Sequence, residues 1–150
     1  MIDDRERLAS TDARDVALAC IEAGIEAGHP RTVISDAVAL EDETLRVGDA
    51  TADLCEYDDL VVLGGGNAAA HVAAALEEIL GDRIDGGVVV TDDLVETAHV
   101  GVREGDHPVP SERGVAGTRD LLAAADAADE DTLVVTAITG GGSALMPAPA

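Results

Sequence analysis

Twice along this chain, an apolar run of strand character leads into three consecutive glycines and then into residues that favour a helix. The first copy, DLVVLGGGNAAA, spans residues 59–70, and the second, DTLVVTAITGGGSAL, spans 131–145. A continuous apolar run is typical of a parallel strand covered on both faces. Glycine in the following turn permits positive φ and lets the backbone approach a ligand closely. The repeated unit therefore predicts an α/β fold with a ligand site at the strand ends.

Helix and strand patterns alternate through most of the remaining sequence. Helices are expected over 12–28, 67–81 and 111–128, strands over 44–49, 60–63, 86–93 and 132–138, and a short strand followed by a turn over 100–110. In the first helix, apolar residues recur at helical spacing at Val16, Cys20, Ile21 and Ile25. A weak surface helix or loop is expected after residue 49. The alternation predicts a Rossmann-like three-layer sandwich with a mostly parallel sheet, truncated at the C-terminus, because SALMPAPA begins a helix and stops at Ala150.

The charge of the chain argues against several classes of partner. Thirty-one acidic residues against nine basic ones give a formal net charge of -22. Such a surface repels nucleic acid and anionic lipid, so neither is expected to bind. Molar salt shortens the Debye length to about 3 Å and removes most of the self-repulsion. The composition predicts a cytoplasmic protein of a halophile, haloarchaeal in character, and the sequence contains neither a signal peptide nor an apolar run of about 18 residues.

The residues of the two glycine loops indicate what kind of ligand they could hold. Each loop opens onto a helix N-terminus, whose free N–H groups and positive dipole end suit an anion such as phosphate. A P-loop of the GxxxxGK[ST] type is excluded, because it requires lysine and all nine basic residues are arginine. The alternative is a pair of tight turns needed only for packing. The candidate binding residues are Gly64, Gly65, Gly66, Asn67, Gly140, Gly141, Gly142 and Ser143.

A dinucleotide fingerprint remains compatible with the first loop. Gly64, Gly66 and Ala69 satisfy GxGxxG/A between a strand and a helix. Asp92 ends the next strand, where an acid could hold a ribose. Asp92 follows Gly64 by 28 residues, however, which exceeds the usual interval of about 20. Taken alone, this motif does not identify the ligand.

A third segment, REGDHPVPSERG at residues 103–114, holds a histidine between an acid and a proline. The two prolines keep this segment extended or turned. One interpretation is a rigid connection with an exposed histidine. The other places His107 near the ligand, where it hydrogen-bonds a carboxylate or phosphate.

In this order, GGGNAAAHVAAALEEILG, EGDHPVPSERG and TGGGSALMPAPA resemble the N-terminal domain of the glycerate 2-kinases. This family is sometimes labelled hydroxypyruvate reductase, and its second domain is named after the MOFRL motif. The resemblance implies ATP-dependent, Mg²⁺-requiring transfer of phosphate to the 2-hydroxyl of D-glycerate, in a cleft between this domain and a larger remainder. It also implies that the glycine-loop amides hold anionic oxygens and that Ser143 donates a hydrogen bond. The Mg²⁺ ligands are unknown, and Asp92, Asp93 and Asp106 are candidates among many acids.

The sequence departs from the family pattern at the first loop and in length. Asn67 stands at the position of a family lysine, so it is the expected catalytic position but carries no charge; Arg103 is one candidate to replace that charge. Residues 1–150 correspond to a partial N-terminal domain without the MOFRL-type domain, and the isolated chain is expected to be inactive. Two alternatives remain, an NAD(P)-dependent hydroxypyruvate reductase and a non-catalytic nucleotide-binding module. The sequence does not indicate the oligomeric state.

Overall fold

The computed structural model describes residues 2–149 and contains two separate sheets. The helices are α1 Arg5–Leu8, α2 Asp12–Ala27, α3 Pro30–Ala37, α4 Ala69–Leu80, α5 Glu112–Ala127 and α6 Gly142–Leu145. The strands are β1 Val38–Glu41, β2 Thr44–Val47, β3 Ala50–Asp53, β4 Asp59–Gly65, β5 Gly86–Thr91, β6 Gly101–Glu104 and β7 Thr132–Ile138. Ala150, where the sequence suggested truncation, lies outside the described residues.

The larger sheet is parallel and has the strand order β6-β5-β4-β7. From β4 the chain proceeds outward through β5 and β6, and then returns to place β7 on the opposite side of β4. The order therefore reverses between β4 and β7, and ligands of open α/β sheets bind at such a switch point, beyond the carboxyl ends of the strands. The two strands that lead into glycine triplets are thus direct neighbours. The α/β prediction is confirmed, with helices packed on a parallel sheet.

The smaller sheet is an antiparallel meander of β1, β2 and β3. Its two tight turns each contain a residue with positive φ, Asp42 at 54° and Gly48 at 57°. Short polar residues and glycine tolerate this conformation, which two-residue hairpins require. The expected helix or loop after residue 49 is wrong, because β3 forms there and pairs with β2. A single short strand gave no sign of its partners, since pairing in a meander depends on the turns that join the strands.

The core between α4 and the parallel sheet is aliphatic. Leu60 and Val62 of β4 and Val89 of β5 pack there with Leu76 of α4. The alanines of α4 allow the helix backbone to lie close to the sheet, and Ala69, Ala70 and Ala73 are fully buried. Gly81, with φ 54°, ends α4 as predicted. Helix α4 is therefore firmly held, and it positions the first glycine loop at its N-terminus.

Helix α2 has the predicted extent but not a buried face. Thr11 caps it by accepting a hydrogen bond from the N–H of Arg14 at 3.3 Å. Val16, Ile21 and Ile25 are 63%, 51% and 55% exposed, and no residue of α2 is buried. The helical period is therefore real, but the rest of the described chain does not cover the apolar side of this helix.

No helix within residues 2–149 is both long and apolar enough to cross a membrane.

Candidate functional site

The two glycine loops contact each other directly at the carboxyl ends of β4 and β7. The N–H of Asn67 donates to the carbonyl oxygen of Gly140 at 2.8 Å, and the N–H of Thr139 donates to that of Gly65 at 3.1 Å. The Thr139 hydroxyl accepts a further bond from the N–H of Ala68 at 3.2 Å. The loops therefore form one continuous surface, as neighbouring strands in a parallel sheet would bring about.

The glycines of the first loop are required by close packing against the second loop and its flanking segments. A Cβ atom on Gly65 would lie 2.6 Å from the side chain of Met146. Gly66 has φ +134°, and a Cβ there would lie 2.1 Å from the hydroxyl oxygen of Thr139. Gly64 is equally confined by the backbone of Ala137. The packing interpretation of this triplet thus has a specific geometric basis, whatever the loop binds.

The backbone N–H groups of residues 66–69, at the end of the first loop, already donate hydrogen bonds within the fold. Gly66 donates to the carbonyl oxygen of Val90 at 3.0 Å, and Ala69 donates to that of Gly66 at 3.1 Å. Asn67 and Ala68 donate to the second loop, as described above. In this arrangement, none of the four amides from residue 66 to 69 is available to an anion.

The second loop is different, because its amides are unused. Within residues 2–149, the N–H groups of residues 140–143 donate to no other group, and neither does the Ser143 hydroxyl. Gly141 has φ +88°, which turns the chain into α6. An open hollow at this point is lined by Ile138, Thr139, Gly140, Gly141, Gly142, Ser143 and Met146. Four successive N–H groups without an acceptor in residues 2–149 therefore belong to residues that line an open hollow at the switch point.

The side chain of Asn67 connects the end of β5 to the second loop. Its Nδ2 lies 2.9 Å from each carboxylate oxygen of Asp92. Its Oδ1 lies 2.1 Å from the position that a Cβ on Gly141 would occupy. Asp92, a candidate ribose or metal ligand in the sequence, therefore serves here as the partner of Asn67.

Sequence reasoning missed Thr91, a fully buried polar residue at the end of β5. Its hydroxyl donates to the carbonyl oxygen of Asn67 at 3.1 Å and accepts from the N–H of Asp93 at 3.2 Å. This hydroxyl ties the first loop to the turn after β5. The available signal was a single polar residue that closes the apolar run VVVT.

Sequence reasoning also missed a histidine on the first turns of α4. His71 Nε2 lies 2.9 Å from a carboxylate oxygen of Asp93, and its ring stands edge-on to that of His29 with centroids 6.2 Å apart. Asp93 therefore pairs with His71, whereas its neighbour Asp92 pairs with Asn67. The two acids that follow β5 have separate partners.

The histidine–proline segment lies beside α6, but His107 itself joins neither loop. His107 is exposed and, among the described residues, has no hydrogen bond. The segment approaches α6 through Gly114, where a Cβ would lie 3.1 Å from the carbonyl oxygen of Leu145. Asp106 binds Arg113, and this pair, followed by a bond from Ser111, lowers the pKa of Asp106.

The described residues contain no cluster of three metal ligands, and the candidate substitute for the family lysine is already in an ion pair. No three His, Cys, Asp or Glu side chains in residues 2–149 cluster as metal ligands would. Arg103, the candidate substitute cation, pairs with Asp120 of α5 at 2.6 Å. The two loops therefore contribute backbone amides, the Asn67 carboxamide and hydroxyls, and the Asp92 carboxylate binds that carboxamide.

Comparisons with known proteins agree on one family. Residues 16–150 match the family described as "Domain of unknown function (DUF4147)". The chain is 30% identical over 144 residues to the glycerate 2-kinase of Pyrococcus horikoshii. This alignment covers 95% of this chain and 32% of that protein. A solved structure of a Pyrococcus horikoshii protein superposes with a TM-score of 0.80 at 30% identity, over 93% of this chain and 32% of the other.

A second solved structure, a glycerate kinase from Thermotoga maritima, superposes with a TM-score of 0.66 at 28% identity. It covers 86% of this chain and 28% of that protein. The chain thus spans about a third of the length of the relatives it matches.

Proposed function

The chain belongs to the DUF4147 family, and from that membership we propose that it forms part of a glycerate 2-kinase, which transfers phosphate from ATP to D-glycerate. The names of the matched relatives support this reaction class. The observation that carries the proposal is the row of four N–H groups at residues 140–143, which have no acceptor within residues 2–149 and lie beside the switch point of the parallel sheet. Backbone donors in such a place stabilise anionic oxygens of substrates and of transferring phosphoryl groups.

In the proposed site, the amides of Gly140, Gly141, Gly142 and Ser143 bind carboxylate or phosphate oxygens, and the Ser143 hydroxyl adds a donor. Asn67 stands where the family resemblance implies a lysine, and it supplies hydrogen bonding without charge. His107 is exposed on the neighbouring segment, and we propose that it hydrogen-bonds a carboxylate or phosphate oxygen of the ligand.

The residues present are compatible with a nucleotide that brings Mg²⁺ with it. Magnesium at phosphoryl-transfer sites is typically held by substrate phosphates, several waters and one or two carboxylates. A cluster of three acids is therefore not required, and Asp92 or Asp93 could supply a single carboxylate. Bound Mg²⁺ would neutralise charge on the phosphates, which matters in a chain of net charge -22.

Several parts of this proposal concern the whole protein. We propose that residues 1–150 contribute the N-terminal side of a cleft, and that the remaining two thirds of the relatives' length corresponds to the opposite side. A cytoplasmic location in a high-salt cell belongs to the same proposal, and its support is the acidic composition. The isolated chain is predicted to bind ligand without turnover.

The reductase alternative receives no support from the first loop. A dinucleotide site of that type places pyrophosphate on the N–H groups of the strand-to-helix turn. The N–H groups of residues 66–69 all donate hydrogen bonds within the fold. A non-catalytic binding module would bind the same ligands as the proposed kinase, and the two functions differ only in whether the whole protein turns the substrate over.

The test is ligand binding to the purified chain in molar KCl, followed by calorimetry or by NMR, with D-glycerate and with ATP plus Mg²⁺. Gly141→Ala places a methyl group against Asn67, whereas Gly86→Ala in β5 meets nothing within 4 Å, lies outside both loops and is the matched control. We expect binding that Gly141→Ala weakens and Gly86→Ala retains. A longer product of the same reading frame should also be assayed for both reactions. If it oxidises NADH with hydroxypyruvate as substrate and forms no 2-phosphoglycerate from ATP and D-glycerate, the kinase proposal is contradicted.

A further inference from the structure

We propose that Asp92 and Gly141 hold Asn67 so that its side-chain oxygen is turned towards the second glycine loop, where it accepts a hydrogen bond from a substrate hydroxyl. The inference rests on the proposed function, because it takes Asn67 to act on the ligand of that loop. It assigns Asp92 as a positioning residue and Asn67 as a determinant of specificity for hydroxy acids.

The partner of the carboxamide fixes its orientation. A carboxylate has only acceptor oxygens, so the group that faces it must be the NH₂ and not the oxygen. Asn67 Nδ2 is 2.9 Å from both Oδ1 and Oδ2 of Asp92, and a flipped amide would bring oxygen against oxygen at the same distances. The turn after β5 that carries Asp92 is itself tied to the first loop through the Thr91 hydroxyl.

Gly141 provides the space for the other end of the carboxamide. A Cβ at this position would lie 2.1 Å from Asn67 Oδ1 and 2.8 Å from its Cγ, so no other residue type can stand there unless Asn67 moves. The φ of +88° at Gly141 disfavours a side chain independently. Within residues 2–149, no group donates a hydrogen bond to Asn67 Oδ1. It is an acceptor left free at a half-buried position beside the second loop.

An acceptor at this place has a consequence for the choice of ligand. A carboxylate or phosphate oxygen cannot pair with Asn67 Oδ1, whereas a hydroxyl can donate to it. An acid without that hydroxyl would leave the Asn67 side-chain oxygen without a hydrogen bond. Sites built to bond a substrate hydroxyl discriminate against analogues that lack it for this reason. A single typical hydrogen bond corresponds to about a fivefold preference for the hydroxylated acid.

The sequence makes the orientation directly measurable. Asn67 is the only asparagine, and the chain contains no glutamine. A ¹⁵N-labelled sample therefore gives one carboxamide NH₂ pair, which needs no further assignment. We expect this pair to be shifted and slow to exchange in the wild type, and to move to the position of a free carboxamide in Asp92→Ala.

Two variants make the spectral test specific. Asp92→Glu keeps a carboxylate acceptor without adding a second carboxamide, and it should retain part of the shift. Glu96→Ala removes the same charge from the same β5–β6 connection, where the exposed Glu96 makes no hydrogen bond to any described residue, and it should leave the pair in place. An NH₂ pair that is identical in the wild type and in Asp92→Ala would overturn the inference.

Ligand binding tests the role of the oxygen with three acids. D-glycerate carries both hydroxyls, D-lactate keeps only the 2-hydroxyl, and 3-hydroxypropanoate keeps only the 3-hydroxyl. The wild type should bind D-glycerate about fivefold more tightly than the analogue lacking the recognised hydroxyl, and Asp92→Ala should reduce that ratio to about one. A ratio that survives in Asp92→Ala would overturn the inference while leaving the proposed function intact. If none of the three acids binds although the NH₂ pair depends on Asp92, the proposed function and the hydroxyl role both fail, and only the orientation of Asn67 stands.

Discussion

Gly64 of β4 and Ala137 of β7 are paired in register, and a Cβ on Gly64 would lie 2.0 Å from the Ala137 carbonyl oxygen. Glycine at this position lets β4 and β7 approach each other where both strands end. This close contact lies directly before the two loops, which hydrogen-bond each other.

Gly64→Ala is expected to destabilise the protein strongly. The added methyl group meets backbone, which cannot move aside as a side chain could, so we expect the free energy of unfolding to fall by about 3 kcal/mol. Urea unfolding at constant molar KCl would measure the change. Gly86→Ala in β5 is the matched control, because its Cβ meets nothing within 4 Å and should cost little. Equal stabilities of the two variants would contradict this account of the β4–β7 contact.

Thr91→Val tests the buried hydroxyl that joins the first loop to the end of β5. Valine has nearly the same shape but leaves the carbonyl of Asn67 and the N–H of Asp93 without this partner. Loss of these bonds should lower the free energy of unfolding by about 1–3 kcal/mol. Thr91→Ser keeps the hydroxyl, so its smaller loss, about 1 kcal/mol, reports only the missing methyl group. Chemical denaturation of both variants distinguishes the two contributions, and a Val variant as stable as wild type would refute the role of the hydroxyl.

The pH dependence of stability should reflect Glu77 of α4. Its carboxylate accepts bonds from the N–H groups of Ala98, His99 and Val100 at 2.7, 2.7 and 2.8 Å. Desolvation raises the pKa of Glu77, but the three backbone donors outweigh it and leave the pKa below its ordinary value. A lowered pKa in the folded state means that the contribution is complete above the unfolded pKa of about 4.3 and is lost as the pH falls through the folded value.

Glu77→Gln should therefore lower stability at neutral pH and lose this effect in acid. We expect a loss of about 1 kcal/mol, at the low end for charged hydrogen bonds because the carboxylate is partly exposed. The difference from wild type should shrink as the pH drops below about 4.3, which urea titrations at several pH values would follow. Glu78→Gln removes the same charge from an exposed ion pair with Arg31 and should change little at any pH. A constant difference between wild type and Glu77→Gln across the acidic range would contradict this assignment.

Salt should stabilise the fold through charge screening. With a net charge of -22, self-repulsion acts over a Debye length of about 10 Å at 0.1 M salt but only about 3 Å at 1 M. The melting temperature should rise steeply between these concentrations, as scanning calorimetry can measure. KCl and NaCl should act alike, since screening depends on ionic strength. A melting temperature independent of salt would show that the acidic surface is not the limiting factor.

Local features of the fold were largely predictable. Helix α4 ends at Gly81, helix α5 is capped by Ser111, and β4, β5 and β7 appear where the apolar runs stand. These features depend on residues close together in the chain, because caps, turns and strand patterns are short-range effects. The family resemblance rested on the same segments, and the match over residues 16–150 confirms it.

The less predictable part of the candidate site depends on contacts between distant residues. The glycine patterns indicated both loops, but not that the amides of residues 66–69 are consumed within the fold while those of residues 140–143 stay free. The glycine patterns also did not indicate that the side-chain nitrogen of Asn67 lies against the carboxylate of Asp92. Each of these facts requires the register of β4 against β5 and β7, which pairs residues that are 25 and 73 positions apart in the chain.

By itself the sequence determined the strand–glycine–helix units, their acidic surroundings and the class of fold, because apolar period, turn chemistry and charge are carried by neighbouring residues. Tertiary structure decided which glycines serve packing and which leave donors free, and it left the apolar residues of α2 uncovered. The physical reason is that a hydrogen bond or a van der Waals clash is specified only when two surfaces meet. The meeting of β4 and β7 is a property of the sheet order, not of either glycine triplet.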